Sequence, residues 1–367
     1  MFFNIIADSV EDNAELAAQA VNVAHRTQNG ILDAIGINGI LPTPIKDLND
    51  KVCDTNENLV RESGRWTAGF LRNFDGSSKH PNDEEDLDTE PDDRPGAHSM
   101  NRGPYPSRPD SRDHIYKPVD KPVSHCVDLR NNCPEVYNQG SLMSCTAHSV
   151  AAAFEFVVRK QGLPEFSPSR LFIWYNARAK SGNPGDTQKN VGSNIRDAIK
   201  SVDLKQYGVC SEDDWSYEVA QSDKKTHKFR PGAKAAKKPP TRVEKHAHQH
   251  TAPSYRTLEE HGTEKALIHC LDSGFPVIFG MKTYGLLGNI GSNGRGLRNP
   301  TAKEMKNEHR HSLLAVGYNQ AEKVFIVRNS WGAHWGEGGY FYMPYYYLKY
   351  CYDFWTMRLV VTHPDKI

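Results

Sequence analysis

The chain has 367 residues, long enough for one or two domains with a sizeable core. Its 45 basic and 45 acidic residues cancel, so net charge gives no argument for a polyanionic partner, and no nucleic-acid ligand is expected. The seven cysteines are odd in number and loosely spaced, which is not the pattern of a disulfide framework. The start, Met1–Asp8, lacks a basic stretch followed by a long apolar one, so no secretory signal is expected. No run reaches the ~20 apolar residues that cross a bilayer, and no Asn-x-Ser/Thr acceptor occurs once Asn299-Pro-Thr is set aside. These features lead us to expect a soluble monomer in a reducing, cytoplasmic setting.

In chain order, residues 1–75 read as an N-terminal helical segment of unassigned role. Leu16, Ala17, Ala20, Val21 and Ala24 recur at helical spacing, and a second helical stretch is expected over 59–71. Residues 76–115 form an acidic, then Pro- and Arg-rich linker with too few apolar residues for a core, and disorder is expected there. The main domain is expected over 116–367. A turn-rich stretch, Asn132–Gly140, leads into Ser149–Val158, a run of good helix formers closed by Gly162-Leu-Pro164. Ser167 with Pro168 reads as the cap of a next helix, and Ser193 as the cap of a third. Residues 222–250 are an insertion rich in Lys, Arg and His, expected as a solvated loop. The glycine-rich stretch 285–296 lacks the Gly-Lys-Ser/Thr of a phosphate cradle and is expected to be mobile. After a helix near 264–271 come five β-rich runs: 275–280, 311–318, 323–328, 339–343 and 355–361. Helices first and antiparallel strands second make an α+β arrangement.

Cys145 therefore falls in the first turn of a helix, where the dipole favours a thiolate. A nucleophilic cysteine needs a base, and the base needs an orienting group. His311 opens one strand and Asn329 ends the next, so an antiparallel pair brings them to one edge. Trp331 is placed to cover their hydrogen bond, and Gln139, six positions before Cys145, to stabilise an oxyanion. His309 is the weaker candidate for the base, and His148 reads as a packed residue. His246, His248 and His250 alternate but lack a completing Cys or carboxylate, so no metal site is expected. Cys126 and Cys133 are read as free thiols.

Gln139-Gly140, Cys145, His311-Ser-Leu-Leu-Ala-Val-Gly317-Tyr318 and Asn329-Ser-Trp-Gly-Ala-His-Trp-Gly-Glu-Gly-Gly-Tyr340 together resemble the papain-like cysteine proteases in order and spacing. The resemblance covers roughly 125–362. It implies a two-part fold, a helical subdomain beside an antiparallel β-barrel-like one, with the active site in the cleft. It implies a catalytic Cys145, His311 and Asn329, an oxyanion role for Gln139, shielding by Trp331, and substrate-backbone pairing at Gly192-Ser193. No cofactor is implied. The expected activity is a cysteine-type peptidase acting on peptides or proteins through an acyl-enzyme. The alternatives are a ligase or transamidase on the same scaffold, or a non-catalytic interaction module. Three departures stand out. Leu142 occupies the place of a family cysteine, so that family disulfide cannot form. Thr146 replaces a tryptophan, which predicts a less covered site. Arg310 precedes His311 and would disfavour its imidazolium if it pointed inward.

Overall fold

The computed structural model describes residues 104–362, apart from positions 105, 108, 109, 111, 112, 120, 184, 204, 205 and 259–262. The expected helices of 1–75 and the acidic run at 82–93 lie outside the described residues.

The helical part is built on α1 (Cys145–Lys160), α2 (Arg170–Lys180) and α3 (Ile195–Ser201). Every α1 residue from Cys145 to Val158 is buried, so this helix is packed on all sides rather than amphipathic at the surface. Two further helices, α4 (Thr241–Ala247) and α5 (Thr263–Asp272), flank the second half. The strands are β1 (Cys126–Asp128), β2 (His250–Thr257), β3 (Val277–Lys282), β4 (Arg310–Asn319), β5 (Val324–Arg328), β6 (Tyr340–Pro344) and β7 (Cys351–Thr362). Their pairings are antiparallel, in the order β2-β7-β3-β4-β5-β6, with β1 added on β4. The barrel-like expectation is corrected in one respect: among the described residues no pairing joins β2 to β6, so the sheet is open. Helix α1 lies against β4, β7 and β3, and this contact joins the two parts through one core.

The boundaries also differ from the sequence reading. The cap of α2 is Ser169, whose side chain accepts the Phe172 N–H, because Pro168 is drawn into a bridge with Ser211. Asn194, not Ser193, precedes α3. The expected linker does not stay unpacked up to 115. The Pro104 carbonyl accepts the Tyr352 hydroxyl (2.6 Å), Ser107 bonds Asp353 (2.8 Å), Arg196 pairs with Asp113, and Ile115 bridges Thr257. Hydrogen bonds, an ion pair and a main-chain bridge make these contacts, so a scan for apolar runs misses them.

The basic insertion is likewise folded. Lys189 and Ser222 bridge Lys228 and Phe229, residues 234–236 form a 3-10 turn, and 241–247 form α4 with Val243 and Ala247 buried. His246 meets Asp214 (3.1 Å) and His250 stacks on Phe166 (3.9 Å), so the alternating histidines diverge. The glycine-rich stretch is packed as well: Leu286, Leu287 and Leu297 are buried, and the Gly294 carbonyl accepts the Tyr342 N–H (2.9 Å). Among the described residues no helix is long and apolar enough to cross a membrane.

Candidate active site

The turn Gln139–Ser144 delivers Cys145 to the start of α1. Ser144 occupies the cap position but makes no capping bond with its side chain. The main chain of Ser312, next to His311 on β4, is among the groups that pull the Cys145 thiol down against burial, so the thiol lies near that strand. Ser149 Oγ and Ser312 Oγ, 2.7 Å apart, fasten the helix to that strand a turn further on.

His311 Nε2 lies 2.7 Å from Asn329 Oδ1. An amide oxygen can only accept, so Nε2 carries the proton and Nδ1 keeps a lone pair. The Ser330 N–H also donates to Asn329 Oδ1 (2.8 Å), which fixes the amide's orientation. The Trp331 ring sits 5.1 Å from the imidazole, centroid to centroid, and Trp335 meets Trp331 edge-on at 5.3 Å. The polar pair is thus set under an aromatic layer.

The Gln139 side chain is locked at both ends. Ser330 Oγ donates to its Oε1 (2.6 Å), and its Nε2 donates to the Leu142 carbonyl (2.7 Å). An amide nitrogen carries two hydrogens, so one remains beyond the bond to Leu142. Gly192-Ser193 lies beside the same helix start, where Thr146 Oγ1 donates to the Ser193 carbonyl (2.9 Å). The structure therefore brings Cys145, His311, Asn329, Gln139, Trp331, Gly192 and Ser193 around the first turn of α1.

Three expectations need correction. Cys145 is 2% exposed and Thr146 is fully buried, so the Thr146 substitution does not leave a bare site; it ties the helix start to Ser193. Arg310 does not act on His311: its Nε bonds Glu308 (2.8 Å), and burial is what depresses the imidazole, to about 4, with the Asn329 bond opposing. The Cys145 thiol is pushed up by burial, against which the Ser312 main chain and the side chain and main chain of Thr146 pull it down. Desolvation thus works against the helix dipole at this thiol. His148 is packed, as the sequence led us to expect: it is buried between Tyr137 and Tyr217, its Nδ1 bonds the Ser144 carbonyl (2.9 Å), and burial holds it near 3.

The cysteine inventory also changes. Cys133, Cys145, Cys210, Cys270 and Cys351 are free, but Cys126 is disulfide-bonded. The free-thiol reading thus holds for Cys133 and fails for Cys126. Sequence reasoning missed Ser330, Asn190 and Tyr217. Ser330 stood inside the recognised Asn-Ser-Trp-Gly block. Asn190 and Tyr217 carry no local signal, because their contacts are long-range.

Comparison with known proteins gives the family. The papain family cysteine protease profile matches residues 123–352. An uncharacterised peptidase C1-like protein of Acanthamoeba polyphaga mimivirus is 32% identical over 295 residues, 71% of this chain and 88% of that protein. Cathepsin K of Gallus gallus is 28% identical over 239 residues, 64% of this chain and 63% of its own length. Among solved structures, xylellain, a cysteine protease from Xylella fastidiosa, superposes with a TM-score of 0.63 at 36% identity, over 73% of this chain and 98% of that one. With more than half its length matched to that family, and a histidine–asparagine pair set beside a helix-borne cysteine, the chain belongs to the papain family and is a cysteine peptidase of peptide or protein substrates.

Proposed function

We propose that hydrolysis runs through Cys145, His311 and Asn329 by way of an acyl-enzyme. The observation that carries this reading is the His311–Asn329 bond, which leaves Nδ1 as the imidazole's proton acceptor. Because burial keeps both groups neutral at rest, proton transfer accompanies attack. His311 Nδ1 takes the thiol proton as sulfur bonds the peptide carbonyl carbon. The π pair moves to oxygen, which is held by the spare Gln139 N–H and the Cys145 N–H. Collapse breaks the C–N bond, and the amine leaves with the imidazolium proton. A thioester remains. Water then attacks it, His311 again takes a proton, and the acid and thiol are released. Gly192 and Ser193 are assigned to the substrate backbone.

The test is Cys145→Ala in the full chain. Peptide hydrolysis and covalent labelling by a thiol-directed epoxide should both be lost. Hydrolysis at the wild-type rate by this variant would sink the mechanism.

A further inference from the structure

The loop that presents the nucleophile and the oxyanion donor is held by two side chains from elsewhere in the chain. Asn190 grips its middle. Its Oδ1 accepts the Met143 N–H (2.8 Å) and its Nδ2 donates to the Ser141 carbonyl (3.0 Å), one bond on each side of Leu142. Tyr217 grips both ends. Its hydroxyl donates to the Gln139 carbonyl (2.8 Å) and lies 2.7 Å from Ser144 Oγ, which is why Ser144 does not cap α1 with its side chain.

These two side chains are themselves fixed. The Asn190 N–H donates to the His227 carbonyl (2.8 Å), Asn190 Nδ2 reaches Ser222 Oγ (3.3 Å), and buried Arg178 donates to the neighbouring Lys189 carbonyl (2.8 Å). The Tyr217 N–H bonds Glu212, and the Tyr217 ring stands edge-on to His148, with centroids 4.9 Å apart. Val219 closes over Gly140 so tightly that a Cβ there would meet its Cγ2 at 2.9 Å.

We infer that Asn190 and Tyr217 are positioning residues for catalysis, a non-covalent clamp that sets the Gln139–Cys145 loop where a covalent tie at position 142 is ruled out by leucine. Residues 217–229, which lead into the basic insertion and form its start, thereby buttress the oxyanion-binding loop from outside the cleft. The physical warrant is distance. A donor helps an oxyanion only when held within hydrogen-bond reach of the place where charge develops, and small misplacements cost rate steeply. Four hydrogen bonds spread over Gln139 to Ser144 hold such a loop without a disulfide. This inference rests on the reading of Cys145 and Gln139 given above.

A peptide aldehyde separates positioning from general support. It adds to the thiol so that an S–C bond forms and the carbonyl π pair moves to oxygen, placing a tetrahedral oxygen among the loop donors. Iodoacetamide instead forms an S–C bond at its CH2 carbon as iodide leaves to solvent, and no oxyanion forms. We expect Tyr217→Phe and Asn190→Ala, made separately in the full chain, to lower kcat and aldehyde affinity together by about ten-fold, with the iodoacetamide rate held within about two-fold. Unchanged kcat and aldehyde affinity in both variants would overturn the clamp. So would aldehyde affinity and alkylation falling in parallel with the thermal midpoint, since that marks loosened packing. Cys145→Ala is the control. If it still binds the aldehyde as wild type does, the reading of the nucleophile is what fails.

Discussion

Asn329 Oδ1 accepts two hydrogen bonds, from His311 Nε2 and from the Ser330 N–H, and that pair decides which imidazole nitrogen is free. A group that orients a base acts on the chemical step rather than on binding. Asn329→Ala should therefore lower kcat by at least about ten-fold, while KM stays within about two-fold, in steady-state assays. The same bond has a pH signature. Burial depresses His311 to about 4, and the Asn329 bond is the opposing influence that raises it. A base must be neutral, so kcat/KM should hold from neutral pH down to about 4 and fall below that. Removing the raising influence should move the acid limb of Asn329→Ala to still lower pH. A limb displaced upward would contradict the assigned cause.

At the level of elements, the site is a meeting of one helix start, one strand start and the end of the next strand. Gly140 shows how tightly the first is shaped. Its φ of +56° lies in the left-handed region that side chains rarely adopt, and Val219 fills the space a Cβ would need. Gly140→Ala should destabilise the fold by about 1–2 kcal/mol in urea unfolding and reduce kcat more than KM, because the loop that carries Gln139 must shift. Wild-type kcat in this variant would mean that the loop tolerates displacement. Strand β2 is an informative miss. Its sequence, His250–Thr257, contains Pro253 and follows a basic run, and both features argue against a strand. It survives because it is the terminal strand of the sheet and its register shifts between Thr251 and Ser254.

For the whole molecule, two buried histidines set a pH dependence of stability. Burial holds His148 near 3 and His311 near 4, against an ordinary value of 6.5. Between 6.5 and those values the unfolded chain binds protons that the folded chain refuses. Stability therefore falls as pH drops through that window. Buried Asp353, whose carboxyl is raised by desolvation, acts with the opposite sign and offsets part of the loss. The thermal midpoint should decline from pH 6.5 to 4, and His148→Phe should flatten the decline. A midpoint of His148→Phe that falls as steeply as that of the wild type would refute the assignment to His148.

The sequence by itself determined the reaction class. Local patterns carry that information: a run of helix formers closed by Gly162-Leu-Pro164 marked α1, β-rich runs bounded by turn residues marked β3 to β7, and the spaced blocks around Cys145, His311 and Asn329 pointed to the chemistry. The antiparallel pairing of β4 with β5, which places His311 and Asn329 at one edge, followed from strand order. Contacts between distant parts were decided only by the tertiary structure. Asn190 and Tyr217 look like ordinary polar loop residues until the fold brings them 47 and 73 positions back onto the nucleophile's loop. Desolvation behaves the same way. The helix dipole at Cys145 is visible in one dimension, whereas the burial that outweighs it comes from side chains packed in from the whole chain.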